Sequence, residues 1–514
     1  MAKYYEVKDG MGIIPEGTTK VETGVFENRS DLKSIVIPNS VTIIGQDAFR
    51  GCKSLKDVVI PDSVTEIWGG AFFNCPALTH IEIPNSVTKI ASSAFSRTGL
   101  TSIDIPKSVE SIGSYAFSHT PLEKIVFPNS VTEIGAGVVA DCKALSCLIV
   151  EEGNPKYDSR EGCNAIIETE TDKLIAACSS TIIPDSVKEI GEKAFMNCNT
   201  LTELSLPDSV VIIGDEAFRN CSSLTSITIS KSVTEIGSDA FLGCSAVESI
   251  VVEEGNTRYD SRNNCNAIID KYYTGSADLV QGCKNSTIPE GVTSIKGKAF
   301  MGCRLTSIVI PKTVEFFARG AFLYCNELAS IVVEEGNERY DSRNNCNGIV
   351  ETEENSLIIG CKTTIIPDTV TMISDWAFEG CEELSNITIP ESVTEIGRGA
   401  FARSGLTSIV IPKPVKKIGP YAFDGCIKMQ SVEILGPVNK IDEYAFSSCQ
   451  ALETITLGTG IKKFEESAFW YASSLKAIYV PVKKAAYYEE RIWSRLCHLI
   501  VELPAEKAKN KNPR

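Results

Sequence analysis

The chain has 514 residues, 43% apolar and 23% charged, a balance that suits a folded protein and excludes wholesale disorder. Its formal net charge of −16 turns most of the surface against phosphate backbones, which excludes non-specific nucleic-acid binding. No apolar run approaches the roughly 20 residues that span a bilayer. The opening MAKYYEVKDGMGIIPEG shows no charged segment followed by an apolar stretch and a cleavage site, so no secretory signal is visible. Location defaults to the cytoplasm, with the cell surface or secretion left open.

In chain order, residues 1–31 form an N-terminal cap and a first partial repeat, since the stretch 4–15 lacks the Leu-Ile half of the pattern that follows. Residues 32–481 repeat one unit, L-x-x-I-x-I-P-x-S-V-x-x-I-G-x-x-A-F-x-x-C. Phe26, Phe49, Phe72 and Phe95 are each 23 apart and Phe117 follows by 22; Val139 replaces Phe before the series resumes at Phe195, Phe218 and Phe241. The two alternating isoleucines share one face of a short strand. Proline ends that strand because it cannot donate to a ladder. One unit cannot bury its apolar face alone, whereas stacked neighbours can. The expected fold is therefore a repeat solenoid, a right-handed coil of about 19 units with a parallel β-sheet on one face and short 3₁₀ turns.

Three intervals are longer: 56 from Val139 to Phe195, 59 from Phe241 to Phe300 and 56 from Phe322 to Phe378. Each holds an extra unit, near residues 151–183, 253–288 and 334–366, opening with EEGN-x-x-YDSR and carrying two short apolar runs about a polar turn. That pattern predicts an inserted β-hairpin that projects from the coil or edges it. Residues 482–503 read as a C-terminal helical cap, with Tyr487, Trp493 and Leu496 placed to cover the last turn. Residues 504–514 read as a disordered charged tail.

The unit IP-x-S-V-x-x-IG-x-x-AF-x-x-C resembles the BspA-like, Treponema-type leucine-rich repeat, over about residues 12–500. Serine, as at Ser40, Ser63 and Ser86, stands where the common leucine-rich repeat has Asn or Cys, and this favours 3₁₀ turns over outer helices. The resemblance implies a non-enzymatic, protein-binding scaffold, or a surface adhesin or glycan-binding protein engaging host or neighbouring cells.

The residues themselves carry little chemistry. The 19 cysteines recur at the repeat interval, which reads as a buried apolar position with reduced thiols. The hairpin pairs Cys163/Cys178, Cys265/Cys283 and Cys346/Cys361 leave a cross-hairpin disulfide open. His80, His119 and His498 lack Cys or His at ligand spacing, so neither a metal nor a cofactor is expected.

The outward strand positions are mostly Ser, Thr and Val, good strand formers with little recognition content. Charge gathers at one end, on Asp57, His80, Glu82, Asp104 and Lys124, the candidate partner-binding residues. Tyr272 and Tyr273, in the longer loop of the middle hairpin, add apolar area with a polar handle. Asp57, His80 and Ser102 fall on consecutive turns of one stripe, so a hydrolase is the rival from another class. The favoured partner is a protein, with a host or cell-surface protein, a glycan and self-association as the other possibilities.

Overall fold

The computed structural model describes residues 5–271, 276–492 and 494–503. They fall into two compact units, Met1–Asp260 and Ser261–Arg514, each built of stacked repeat turns. Three parallel ladders of backbone hydrogen bonds run from turn to turn within a unit.

The first ladder comes from the L-x-x-I-x-I strands. In the N-terminal unit Ser34–Val36 pairs with Asp57–Val59, Lys124–Phe127 with Cys147–Val150, and Ser226–Ile229 with Ser249–Val252. In the C-terminal unit Ser408–Ile411, Ser431–Ile434, Thr454–Thr456 and Ala477–Val480 form one run. The second ladder uses the two residues before the repeat's glycine. Lys20–Val21, Ile43–Ile44, Glu66–Ile67, Lys89–Ile90, Ser111–Ile112 and Glu133–Ile134 make one six-stranded sheet.

The third ladder runs through Ala-Phe. Phe26 N–H donates to Ala48 O at 2.9 Å, Phe49 to Ala71 O at 2.8 Å and Phe72 to Ala94 O at 2.8 Å. The same step stacks the rings, with centroids 5.4, 5.2, 5.4 and 5.8 Å apart from Phe26 to Phe117. The residues two before and two after each repeat Phe from Phe26 to Phe446 take positive φ, as at Asp47 and Gly51, or Gly70 and Asn74. This explains the Gly, Asn and Asp found there, the residues that visit left-handed backbone most readily. 3₁₀ geometry is confined, among the described residues, to five short segments, three of them inside the hairpin units.

Side chains fasten one turn to the next. The recurrent thiol donates to the phenylalanine carbonyl of the preceding turn: Cys52 to Phe26 O at 3.0 Å, Cys75 to Phe49 O at 3.0 Å and Cys221 to Phe195 O at 3.2 Å. In two 22-residue turns a hydroxyl takes the carbonyl of its own turn instead, Thr98 on Phe95 O at 2.8 Å and Thr120 on Phe117 O at 2.7 Å. Ser63, Ser86 and Ser108 each donate to a valine carbonyl one turn back, at 2.6–2.7 Å. That is why serine suffices where the common repeat carries asparagine. All 19 cysteines are free. The second cysteine of each hairpin hydrogen-bonds a backbone carbonyl, Cys178 on Asn164 O, Cys283 on Asn266 O and Cys361 on Asn347 O.

The hairpins edge the second ladder rather than project from it. Ala165–Glu168 pairs antiparallel with Lys173–Ala177, which pairs parallel with Glu189–Ile190. Gly348–Glu351, Ser356–Gly360 and Met372–Ile373 repeat the arrangement. Their shared motif is joinery. Asn154 donates to Pro128 O and Val131 O of the preceding turn while its own oxygen accepts from Lys156 and Tyr157 N–H. Asn337 does the same toward Pro311 and Val314.

The N-terminal cap is built of short strands, and the C-terminal cap departs from the helix expected. Met11–Gly12 supplies a strand parallel to Ser34–Val36, with Gly12 in register with Ile35 where an isoleucine would stand. Val7–Lys8 folds antiparallel onto it, and Tyr5 sets its edge against Phe26 at 5.7 Å. At the other end the helix is only Ala485–Glu489, and Ile500–Glu502 adds a parallel strand to Ala477–Val480. An open ladder edge leaves backbone N–H and C=O groups unpaired, and a strand satisfies them where a helix does not. Tyr488, fully buried, covers the last turn together with Tyr487, whose hydroxyl donates to Ile461 O at 3.0 Å. Trp493 and the tail 504–514 lie outside the described residues. These added strands bring the count to about 21 turns against the 19 expected.

Phe218 is 0% exposed, stacked at 4.9 Å on Phe195 and 5.4 Å on Phe241. Phe218→Ala should therefore cost about 3–5 kcal/mol, read as a fall in the denaturation midpoint; an unchanged midpoint contradicts its place in the stack. Burial pushes the Cys52 and Cys75 thiols up from 9.0 to about 12. Native protein should label slowly with a thiol reagent and fast once unfolded. A folded-state pKa above the unfolded one gives stability that is complete below the unfolded value and lost as pH rises through the folded one. The midpoint should fall as pH climbs from about 9 to 12, more steeply than in a Cys52→Ala, Cys75→Ala variant; equal slopes contradict the assignment.

Candidate functional site

The five charged candidates occupy one stretch of the first ladder in the N-terminal unit, and all five are exposed. Asp57 opens the strand Asp57–Val59 and Lys124 opens Lys124–Phe127. The turns between them, residues 79–83 and 101–105, carry no strand. Among the described residues, no backbone hydrogen bond joins 79–83 to residues 56–60 or to 101–105. In the regular turns this bond recurs, as from Lys56 N–H to Lys33 O at 2.8 Å and from Glu248 N–H to Thr225 O at 2.9 Å, while residues 386–390, next to the third hairpin, also carry no strand. Glu82 and Asp104 place like charges at equivalent positions of adjacent turns, which opposes pairing. The candidate patch is thus also a break in the ladder.

The patch is wet and mixed in sign. The side chains of His80 and Glu82 are 73% and 93% exposed, and their nearest approach is 4.0 Å. An ion pair at that exposure holds little structure together. An apolar stripe adjoins it: Val36 and Val59 are register partners, Ile13 follows Gly12 on the neighbouring strand, and all three are exposed. No hydrogen bond joins Asp57, His80 and Ser102 among the described residues, and the ionic neighbour of His80 is Glu82. Nor do three metal-ligating side chains gather anywhere among the described residues. Tyr272 and Tyr273 lie outside the described residues.

A second constellation escaped the sequence reading. In the C-terminal unit the third hairpin separates the turn of Phe316–Phe317 from that of Met372–Ile373, and a cleft of about 530 Å³ opens at the joint. Phe316 is 52% exposed on its wall. The Arg319 guanidinium stacks on the Trp376 indole at 3.6 Å from the ring centre and approaches Glu379 at 3.6 Å. Arg339 holds Glu351 at 3.0 Å across the hairpin. Trp376 has φ 64°, a conformation uncommon for a bulky residue. Its indole lies where a Cβ on Gly399 would be, 2.0 Å away, so the next turn needs glycine. The available signal was the run of aromatic residues Phe316, Phe317 and Trp376 on the two turns that flank the third hairpin, where the first joint carries Glu133, Ile134 and Lys193.

The BspA type leucine-rich-repeat region profile matches residues 19–146, 173–277, 279–350 and 358–485, in six copies. The chain belongs to the BspA-type leucine-rich-repeat family. Similar solved structures include a leucine-rich repeat protein from Eubacterium ventriosum, 23% identical over 74% of this chain and 84% of that one, with a TM-score of 0.45. A leucine rich cell surface protein from Faecalibacterium prausnitzii is 25% identical over 85% and 82%, TM-score 0.30. The pneumococcal vaccine antigen PcpA is 18% identical over 97% and 96%, TM-score 0.29. Among curated proteins, none matches the chain. No helix of the described residues is long and apolar enough to cross a membrane.

Proposed function

We propose that this BspA-type repeat protein is a non-enzymatic scaffold that holds a protein partner on the first ladder of its N-terminal unit, at Asp57, His80, Glu82, Asp104 and Lys124. The observation that carries this reading is the coincidence of three features in one place. The ladder breaks at residues 79–83, charge is concentrated there, and the exposed Ile13, Val36 and Val59 lie beside it. Unpaired strand edges accept an extended segment of another chain, with main-chain bonds giving affinity and alternate side chains giving specificity. The segment that fits is apolar along part of its length and basic opposite Glu82 and Asp104. Charges at such a rim steer encounter and register more than they add affinity.

The test is capture from the native source by the intact chain, comparing Glu82→Lys with Thr388→Lys, an exposed threonine at the equivalent repeat position of the C-terminal unit. Glu82→Lys should reduce capture on the order of tenfold, and added salt should weaken the unsubstituted chain as charges are screened beyond about 8–10 Å. Thr388→Lys should leave capture intact. Equal loss, or no loss, from both removes the N-terminal patch as the docking site.

A further inference from the structure

The chain contains its own control for the cleft at the third hairpin. The first and third hairpin units align without a gap at an offset of 183 residues, which places Asn154 against Asn337 and Arg160 against Arg343. At the first joint the positions equivalent to Phe316, Met372 and Trp376 are Glu133, Glu189 and Lys193. Each of those side chains finds a polar or charged partner beside it. Ser111 donates to Glu133 at 2.9 Å, Lys173 pairs with Glu189 at 2.6 Å, and Lys193 pairs with Glu192 and with Glu216. The bland filling of such a joint is therefore a set of surface ion pairs.

At the third joint the same backbone carries aromatic and thioether side chains, and the ion pairs move to the rim. Phe316 leaves half its surface in water, where that part contributes no burial, and Trp376 at φ 64° takes the same left-handed backbone that Lys193 takes at φ 59° at the first joint. The first joint builds the same scaffold without either aromatic side chain. The volume, about 530 Å³, falls in the range of small-ligand sites, which are lined by apolar and aromatic side chains with a few placed polar groups.

The polar groups narrow the ligand. Arg319 pairs with Glu379 and Arg339 with Glu351, while Asp375 accepts from Arg398 N–H at 2.6 Å, so the wall carries one more carboxylate than guanidinium. An anionic ligand is disfavoured on that count. Guanidinium and carboxylate side by side offer paired donors and acceptors, which match vicinal hydroxyls, each of them both donor and acceptor. The open Phe316 face offers an apolar platform. A ring with hydroxyls on its rim and C–H groups on its face meets both demands.

We propose that this cleft binds a neutral saccharide, one pyranose ring seated on Phe316 with its hydroxyls on Arg319, Glu379 and Asp375. The site is independent of the protein-docking patch and lies in the other unit.

The test is calorimetric titration of the full chain with neutral oligosaccharides: cello-, malto-, xylo-, manno-, galacto- and chito-hexaose. At least one should bind saturably. Phe316→Ala and Arg319→Ala should each weaken it at least tenfold with the denaturation midpoint held, while Glu133→Ala, the equivalent of Phe316 at the first joint, should leave it unchanged. Saturable binding to none of the six, or binding that both cleft variants retain, overturns the proposal. So does an affinity that Glu133→Ala lowers as much as Phe316→Ala.

Discussion

Everything in these two units hangs on one interaction, the backbone hydrogen bond from a residue of one turn to its counterpart in the next. Phe26 N–H to Ala48 O, or Ser34–Val36 on Asp57–Val59, fixes neighbouring turns at a constant separation. Only at constant separation do identical side chains stack, so the phenylalanine column at 5.2–5.8 Å follows from the ladders. The recurrent cysteine and serine belong to the same design, since each donates to a carbonyl one turn back. Burial contributes about 1.5–3 kcal/mol per ring or branched side chain, but only because the ladders hold each turn where its neighbour can cover it.

A scaffold so uniform makes its exceptions informative. The EEGN-x-x-YDSR segments are the most motif-like stretches of the sequence, yet their side chains are spent on fitting a hairpin into the second ladder. The departures point elsewhere. Glu82 and Asp104 stand where neighbouring turns carry valine, and the first ladder opens there. Phe316 and Trp376 stand where the first hairpin joint carries Glu133 and Lys193, and a cleft opens there. In both places a change in side-chain character coincides with a local loss of the regular packing.

The repeat, its period and the three hairpins were legible because each rests on local patterning that recurs many times over. The buried thiols were legible for the same reason. What the sequence hid is what depends on pairing between turns. Gly12 does not look like a strand residue, and only its register with Ile35 reveals one. The C-terminal segment reads as helix by composition, while the open edge of Ala477–Val480 draws Ile500–Glu502 into a strand. The charged patch was visible as a contrast in composition, but the break in the ladder beneath it was not. The cleft needed the third hairpin to be placed before Phe316 and Trp376 could be seen to share a wall.

The central claim is that regular turns are held by inter-turn backbone bonds and that these are interrupted beneath the charged patch. Native-state amide hydrogen exchange, read residue by residue, tests it most directly, because exchange reports the opening of individual backbone bonds. Amides within the paired strands Ser34–Val36, Asp57–Val59 and Ser226–Ile229, and those of Phe49, Phe72 and Phe218, should be strongly protected. Those of residues 79–83 and 102–105 should exchange orders of magnitude faster. Uniform protection along the first ladder, with residues 79–83 as slow as Asp57–Val59, would contradict the interruption and remove the reason to place a partner there.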